Sequence, residues 1–97
     1  MLKEVLEQHA IWQKINNGEC PNLEDANLEG IDFKGADLSN ANLKGANLAG
    51  AILEGANLTK ANLEGANLEG ANFRYTNLRG ADLCYANILG RVYLCKP

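Results

Sequence analysis

From Pro21 to Gly90 the chain repeats itself every five residues, without an insertion or a deletion. Pro21-Asn22-Leu23-Glu24-Asp25 is followed by Ala26-Asn27-Leu28-Glu29-Gly30 and by Ile31-Asp32-Phe33-Lys34-Gly35. The series runs through fourteen pentads to Ala86-Asn87-Ile88-Leu89-Gly90, and Arg91-Val92-Tyr93-Leu94-Cys95 reads as a degenerate fifteenth. A strict short period constrains architecture more than any bulk property, because each unit is too small to bury itself and must stack on its neighbours.

Neither a regular helix nor a flat strand accepts this period. On an α-helix five steps advance the direction by about 140°, so the third-position residues (Leu23, Leu28, Phe33, Leu38 and onward) would be sprayed around the cylinder. In a flat strand five is odd, and successive leucines would point to opposite faces. A path that turns once per pentad removes the conflict. The residue two before each centre is nearly always Ala, and two apart in an extended segment means the same side. Ala and Leu therefore face inward, and the Asn or Asp between them faces out. Gly in the fifth position suits a tight turn that needs positive φ, as in type II. Asp25 and Asn40 tolerate that backbone. Lys60, Tyr75 and Tyr85 tolerate it poorly, so those corners are expected to use another turn type.

The tandem motif A-[N/D]-L-x-G over residues 21–90 resembles the pentapeptide-repeat family. The resemblance implies an all-β solenoid, a right-handed quadrilateral parallel β-helix with four pentads per coil and about three and a half coils, its strands stacked about 4.8 Å apart. Positions 20 apart then share a column. Phe33 and Phe73 fall in one column with Leu53 between them and Tyr93 at its end. Fourth-position residues alternate in sign up two columns, Glu24, Lys44, Glu64 and Lys34, Glu54, Arg74, which favours neighbours on adjacent strands. Asn27, Asn47, Asn67 and Asn87 make a column suited to an amide ladder. Ile52 interrupts the column of Asp32 and Asn72 and leaves an exposed apolar spot.

Residues 1–19 fall outside the repeat and form one unit, an N-terminal capping α-helix and linker, before the β-helix of 20–97. On a helical wheel Met1, Leu2, Val5, Leu6, His9 and Trp12 share one side, with Ile15 on its flank. Asn16-Asn17-Gly18 is a helix stop. The pattern predicts a helix over about 2–16 that covers the open edge of the first coil, with His9 and Trp12 as packed cap residues.

The C-terminal end differs in chemistry. Residues 1–70 hold eleven acids and five bases, whereas 71–97 hold one acid, Asp82, and four bases, Arg74, Arg79, Arg91 and Lys96. Every Arg and every Tyr of the chain lies in this segment. Arg and Tyr are enriched at protein interfaces, so Arg74, Tyr75, Arg79, Tyr85, Arg91 and Tyr93 are the candidate partner-binding residues, for another protein or a second copy.

Ninety-seven residues make one domain, and a net charge of −3 with a single His does not suit direct nucleic-acid binding. No apolar run reaches the length of a membrane span, and 1–7 lack a signal-peptide pattern. Three cysteines, Cys20, Cys84 and Cys95, with no CxxC pair, make no zinc set. Their odd number suggests reduced thiols and a cytoplasmic protein. In a square coil all three stand too far apart to bridge, so no intramolecular disulfide is expected. The acids are spread along outward columns and do not converge on a cleft. G-x-x-x-x-G matches are repeat arithmetic and lack the GK[ST] ending of a phosphate loop. A tube filled with Leu and Phe leaves no room for a ligand, so neither enzyme activity nor a cofactor is expected. The pattern points to a non-enzymatic structural or adaptor module for protein–protein interaction. The family resemblance supplies an alternative, a DNA mimic that binds a type II topoisomerase (gyrase). Such members look long, strongly acidic and dimeric, whereas this chain is short and basic at its C-terminal end.

Overall fold

The computed structural model describes residues 11–18, 20–89 and, as backbone, 91–92. A helix, α1, covers 11–16, and Gly18 follows it at φ 77°. The first part of the expected helix, with His9, lies outside the described residues. From Pro21 the chain winds with a repeat of 20 residues. Ten parallel bridges join each second-position residue to the one a turn later, in four columns: Asn22–Asn42–Asn62–Asp82, Asn27–Asn47–Asn67–Asn87, Asp32–Ile52–Asn72 and Asp37–Asn57–Asn77. Phe33, Leu53 and Phe73 therefore share one column, as the sequence predicts.

The hydrogen bonds of a single pentad explain its composition. In Ala41–Gly45, Ala41 N–H donates to Leu38 O at 3.0 Å and closes the preceding turn. Asn42 N–H donates down to Pro21 O at 3.1 Å, while Leu43 N–H and Gly45 N–H donate up to Asn62 O and Glu64 O at 2.7 and 2.8 Å. That leaves the fourth-position N–H of Lys44, which points away from both neighbouring coils. It donates to Asn42 Oδ1 at 3.1 Å. A backbone donor left unmatched is costly, and a short side-chain acceptor two residues earlier is the local remedy. The same bond recurs under Glu24, Lys34, Ser39, Thr59, Glu64, Arg74, Arg79 and Cys84. The Asn/Asp preference is thus a backbone requirement, beyond mere outward polarity. Ile52, 38 % exposed, has no such acceptor to offer Glu54.

The corners correct one expectation. Lys60, Tyr75 and Tyr85 do not adopt another turn type: their φ values are 60°, 60° and 61°, like the glycines. The reason is the ladder. Lys60 N–H reaches Arg79 O at 2.9 Å and Ala61 N–H reaches Leu58 O at 3.0 Å only if the corner is left-handed. Two hydrogen bonds at about 1 kcal/mol each match or exceed a strain of about 1–2 kcal/mol. The turns after Tyr75 and Tyr85 close in the same way, Thr76 N–H to Phe73 O at 3.2 Å and Ala86 N–H to Leu83 O at 3.0 Å.

The core is a column of centres. Phe33, Leu38, Leu43, Leu48, Leu53, Leu58 and Leu63 are fully buried, with the first-position alanines packed between them. Ile15 of α1 joins this core, so the residue placed on the flank of the helical wheel is the most deeply packed of the described helix. Trp12 stands edge-on to Phe33, ring centroids 6.2 Å apart, and its Nε1–H donates to Asp32 O at 3.1 Å. That carbonyl belongs to the first coil, where no lower coil supplies a donor.

The C-terminus corrects two further expectations. Arg91 and Val92 do not continue the coil into a fifteenth pentad. Asn87–Ile88 (β1) pairs antiparallel with Arg91–Val92 (β2), in register Asn87 with Val92 and Ile88 with Arg91. A two-residue loop reverses the chain, and Leu89 in it has φ 55°, the sign such hairpin loops require. Cys84 is disulfide-bonded, against the expectation of no bridge, while Cys20 is a free, exposed thiol. The distance estimate behind that expectation extended the coil past Gly90, and the hairpin removes its premise. Cys95 and Tyr93 lie outside the described residues.

Candidate interaction surface at the C-terminal end

The outer walls carry paired charge. Lys34 Nζ lies 3.5 Å from Glu54 and Lys44 Nζ 3.7 Å from Glu64, so both sign-alternating columns form ion pairs. At their partly exposed positions these pairs contribute little to stability. Glu24 instead accepts from Asn42 Nδ2 at 3.2 Å, a bond that sits beside Asn42 Nδ2 to Asn22 Oδ1 at 3.1 Å. In the expected amide column, Asn47 donates to Asn27 at 3.4 Å and Asn87 to Asn67 at 3.3 Å. Asp37 accepts from the hydroxyl of Ser39 at 2.7 Å and from its N–H at 3.1 Å. These two bonds, the hydroxyl first, hold its carboxyl below the usual 3.8.

The last coil departs from this pattern in three ways. Its centres Phe73, Leu78, Leu83 and Ile88 are only partly buried, where the coils below are sealed. A small gap of about 10 Å³ lies within the last two coils, lined only by the apolar centres from Leu53 to Ile88. The N–H groups of Phe73, Leu78 and Leu83 find no acceptor among the described residues, whereas each centre below them donates up to the next coil. The tube is therefore filled at mid-height and its centres are partly exposed at this end.

The predicted partner-binding residues ring this end rather than sharing one wall. Arg74 Cζ sits 5.5 Å from the Tyr75 ring centroid, a cation–π contact. Arg74 has left its column partner Glu54 to make it, and Glu54 is held by Lys34. Tyr75 is 81 % exposed and Tyr85 52 %. Arg79 is exposed on the next wall. Arg91 is placed by its backbone in β2, and Tyr93 lies outside the described residues. Leu89, 82 % exposed in the hairpin loop, was missed by the sequence reading. Its signal was the apolar residue at the fourth position, where Glu29 and Glu69 stand below it.

Among the described residues no group of three or more His, Cys, Asp or Glu is placed to hold a metal ion, and the gap presents no polar group. No helix among them is long and apolar enough to cross a membrane.

A 20-residue parallel repeat built from A-[N/D]-L-x-G defines the class. The family model for pentapeptide repeats matches residues 22–59 and 61–90 in eight copies. The chain belongs to the pentapeptide-repeat family, whose members are generally non-enzymatic structural modules and whose fold implies a right-handed quadrilateral β-helix. Among solved structures it is similar to a pentapeptide repeat protein (Rfr23) of the cyanobacterium Cyanothece 51142, at 43 % identity over 71 % of this chain and 44 % of that one, with a TM-score of 0.61. It therefore spans less than half of that protein's length. It is also similar to alr5209, a pentapeptide repeat protein of Nostoc PCC 7120, at 36 % identity over 92 % of this chain and 86 % of that one, with a TM-score of 0.37. Among curated proteins none matches the chain.

Proposed function

We propose that this chain is a non-enzymatic adaptor module of about three and a half coils, closed at its N-terminal end by the helix of 2–16, which docks a protein partner or a second copy through its C-terminal end. The observation that carries the reading is the partly exposed last coil. Partly exposed apolar centres, backbone donors without a described acceptor and a rim of Arg74, Tyr75, Arg79, Tyr85 and Leu89 come together there. An unpaired sheet edge beside exposed aromatics is a template for association. At the other end Ile15 and Trp12 supply the contacts of a cap. The ion-paired walls do not favour the topoisomerase-binding alternative, since Lys34 and Lys44 break up the acidic columns.

The test is light scattering after size exclusion, together with affinity capture, on the full chain and on an Arg74→Glu/Tyr85→Ala double variant. Loss of a dimer or of a captured partner in the variant, with Lys44→Ala unaffected, supports docking at this end. An unchanged assembly state and an unchanged captured set defeat it. Residence in the cytoplasm stays part of the proposal, but it now requires the Cys84 disulfide to survive a reducing thiol pool. Mass analysis of thiol-blocked protein from a cytosolic extract decides that point.

A further inference from the structure

The repeat sets an asparagine at most of its outward second positions, and an asparagine amide is thermally labile. It is lost when the backbone nitrogen of the next residue attacks the side-chain Cγ. A bulky next residue, a next N–H already committed to a hydrogen bond and a side-chain oxygen already held all oppose that attack. Asn42, Asn47, Asn57 and Asn62 have all three protections. Each is followed by Leu, whose N–H donates to the coil above at 2.7 or 2.8 Å. Each side-chain oxygen accepts the N–H two residues on. Asn17 has neither the bulk nor the side-chain bond. It precedes Gly18 in the chain's sole Asn–Gly step, and a Cβ at Gly18 would meet open space. Both residues are exposed at the end of α1, and the Asn17 side chain makes no hydrogen bond among the described residues. One protection remains, the bond from Gly18 N–H to Ile15 O at 3.0 Å. Element ends fray at little free-energy cost, whereas a core ladder opens only with much of the fold.

We propose that Asn17 is a deamidation site of this protein, opened by fraying of the last turn of α1 and shielded while that turn is docked on the first coil. The chemistry balances with water as the one co-reactant. Gly18 N gives up its proton to solvent and bonds to Asn17 Cγ, the C–N bond of the side-chain amide breaks, and ammonia leaves with the proton it needs. Water then opens the resulting succinimide. Attack at one carbonyl gives aspartate. Attack at the other gives isoaspartate, in which the main chain runs through the side-chain carbons. Either product puts a carboxylate at the C-terminal end of α1, where negative charge is unfavourable. Isoaspartate also adds one carbon to the tether between Ile15, packed in the core, and Pro21, whose carbonyl accepts from Asn42 N–H. The modification therefore acts on the seating of the helix, which Trp12 fixes through Asp32 O and the Phe33 ring.

The experiment ages the full chain in mildly alkaline buffer and maps its peptides by mass spectrometry, with isoaspartate detected by enzymatic methylation. Asn17 is expected to lose its amide at least tenfold faster than Asn42, Asn47, Asn57 or Asn62. Asn17→Gln, which would need a larger ring, abolishes the signal and shows that it does not arise at Asn16. Trp12→Ala loosens the seating of the helix and is expected to raise the Asn17 rate at least threefold, with the other four rates unchanged. Amide hydrogen exchange of the unaltered chain reads the gate independently of any variant's folding, and Gly18 N–H should exchange at least tenfold faster than Leu43 N–H. Equal deamidation at Asn17 and at the ladder asparagines overturns the proposal. So does an Asn17 rate that a folded Trp12→Ala variant leaves unchanged, or a Gly18 N–H as protected as that of Leu43.

Discussion

Replacing Lys60 by Gly should raise the stability of this protein, although it deletes a side chain and adds chain entropy to the unfolded state. Lys60 sits at φ 60° in the fifth position, where most other pentads place Gly. Holding an L-residue in the left-handed region costs about 1–2 kcal/mol, whereas Gly adopts it freely and gives back about 0.5–1 kcal/mol in backbone entropy. The net expected gain is about 0.5–1 kcal/mol, because the exposed Lys60 makes no ion pair among the described residues. For a domain of this size that corresponds to roughly 2–8 °C in Tm. Tyr75, at the same φ, supplies the control. Tyr75→Gly relieves the same strain but removes the Arg74 cation–π contact, worth about 0.5–1 kcal/mol at an exposed site, so its Tm should stay close to wild type. Thermal unfolding of the full chain under non-reducing conditions, followed by circular dichroism, measures both. A Lys60→Gly variant that melts below wild type would mean that the ladder leaves no strain at that corner, and the reasoning would fail.

Ile52→Asn should stabilise by about 1 kcal/mol by giving Glu54 N–H the acceptor that the other coils provide, read as a higher denaturation midpoint at unchanged slope. Gly45→Ala should cost slightly more than Gly50→Ala: both corners have positive φ, but a Cβ at 45 must push aside the exposed Asp25 carboxylate while one at 50 meets open space, and a smaller Tm loss at 45 than at 50 would refute the difference. Asp37 is held ionised by Ser39, so its folded pKa lies below its unfolded one. Its small contribution is present above the unfolded pKa and is lost as the pH falls through the folded one. Asp37→Asn should therefore flatten the melting temperature between pH 6 and pH 3, and an unaltered profile would exclude the role.

Much of the architecture was legible because the repeat is short and strict. An odd period with Ala and Leu two apart leaves one solution, a path that turns every five residues, and the 20-residue register of Phe33, Leu53 and Phe73 follows once four pentads close a turn. The paired columns of Lys34 with Glu54 and Lys44 with Glu64 were readable for the same reason. What the pattern could not rank was local preference against the ladder. Lys60, Tyr75 and Tyr85 have side chains that disfavour positive φ, and only the bonds they make across coils show why they adopt it. The candidate surface was read by residue type alone. Arg and Tyr marked this end as the candidate, but the exposed Leu89 was not legible because it arises where the parallel ladder gives way to a hairpin.

The sequence by itself determined the winding, the inward and outward positions and the chemical contrast between the two ends, because each of these follows from a periodicity that any stacked copy must obey. Tertiary structure alone decided how the winding terminates. Among the described residues the antiparallel turn at Leu89 and the bond at Cys84 replace the parallel ladder, and they depend on groups brought together across the coil, which no repeat unit encodes.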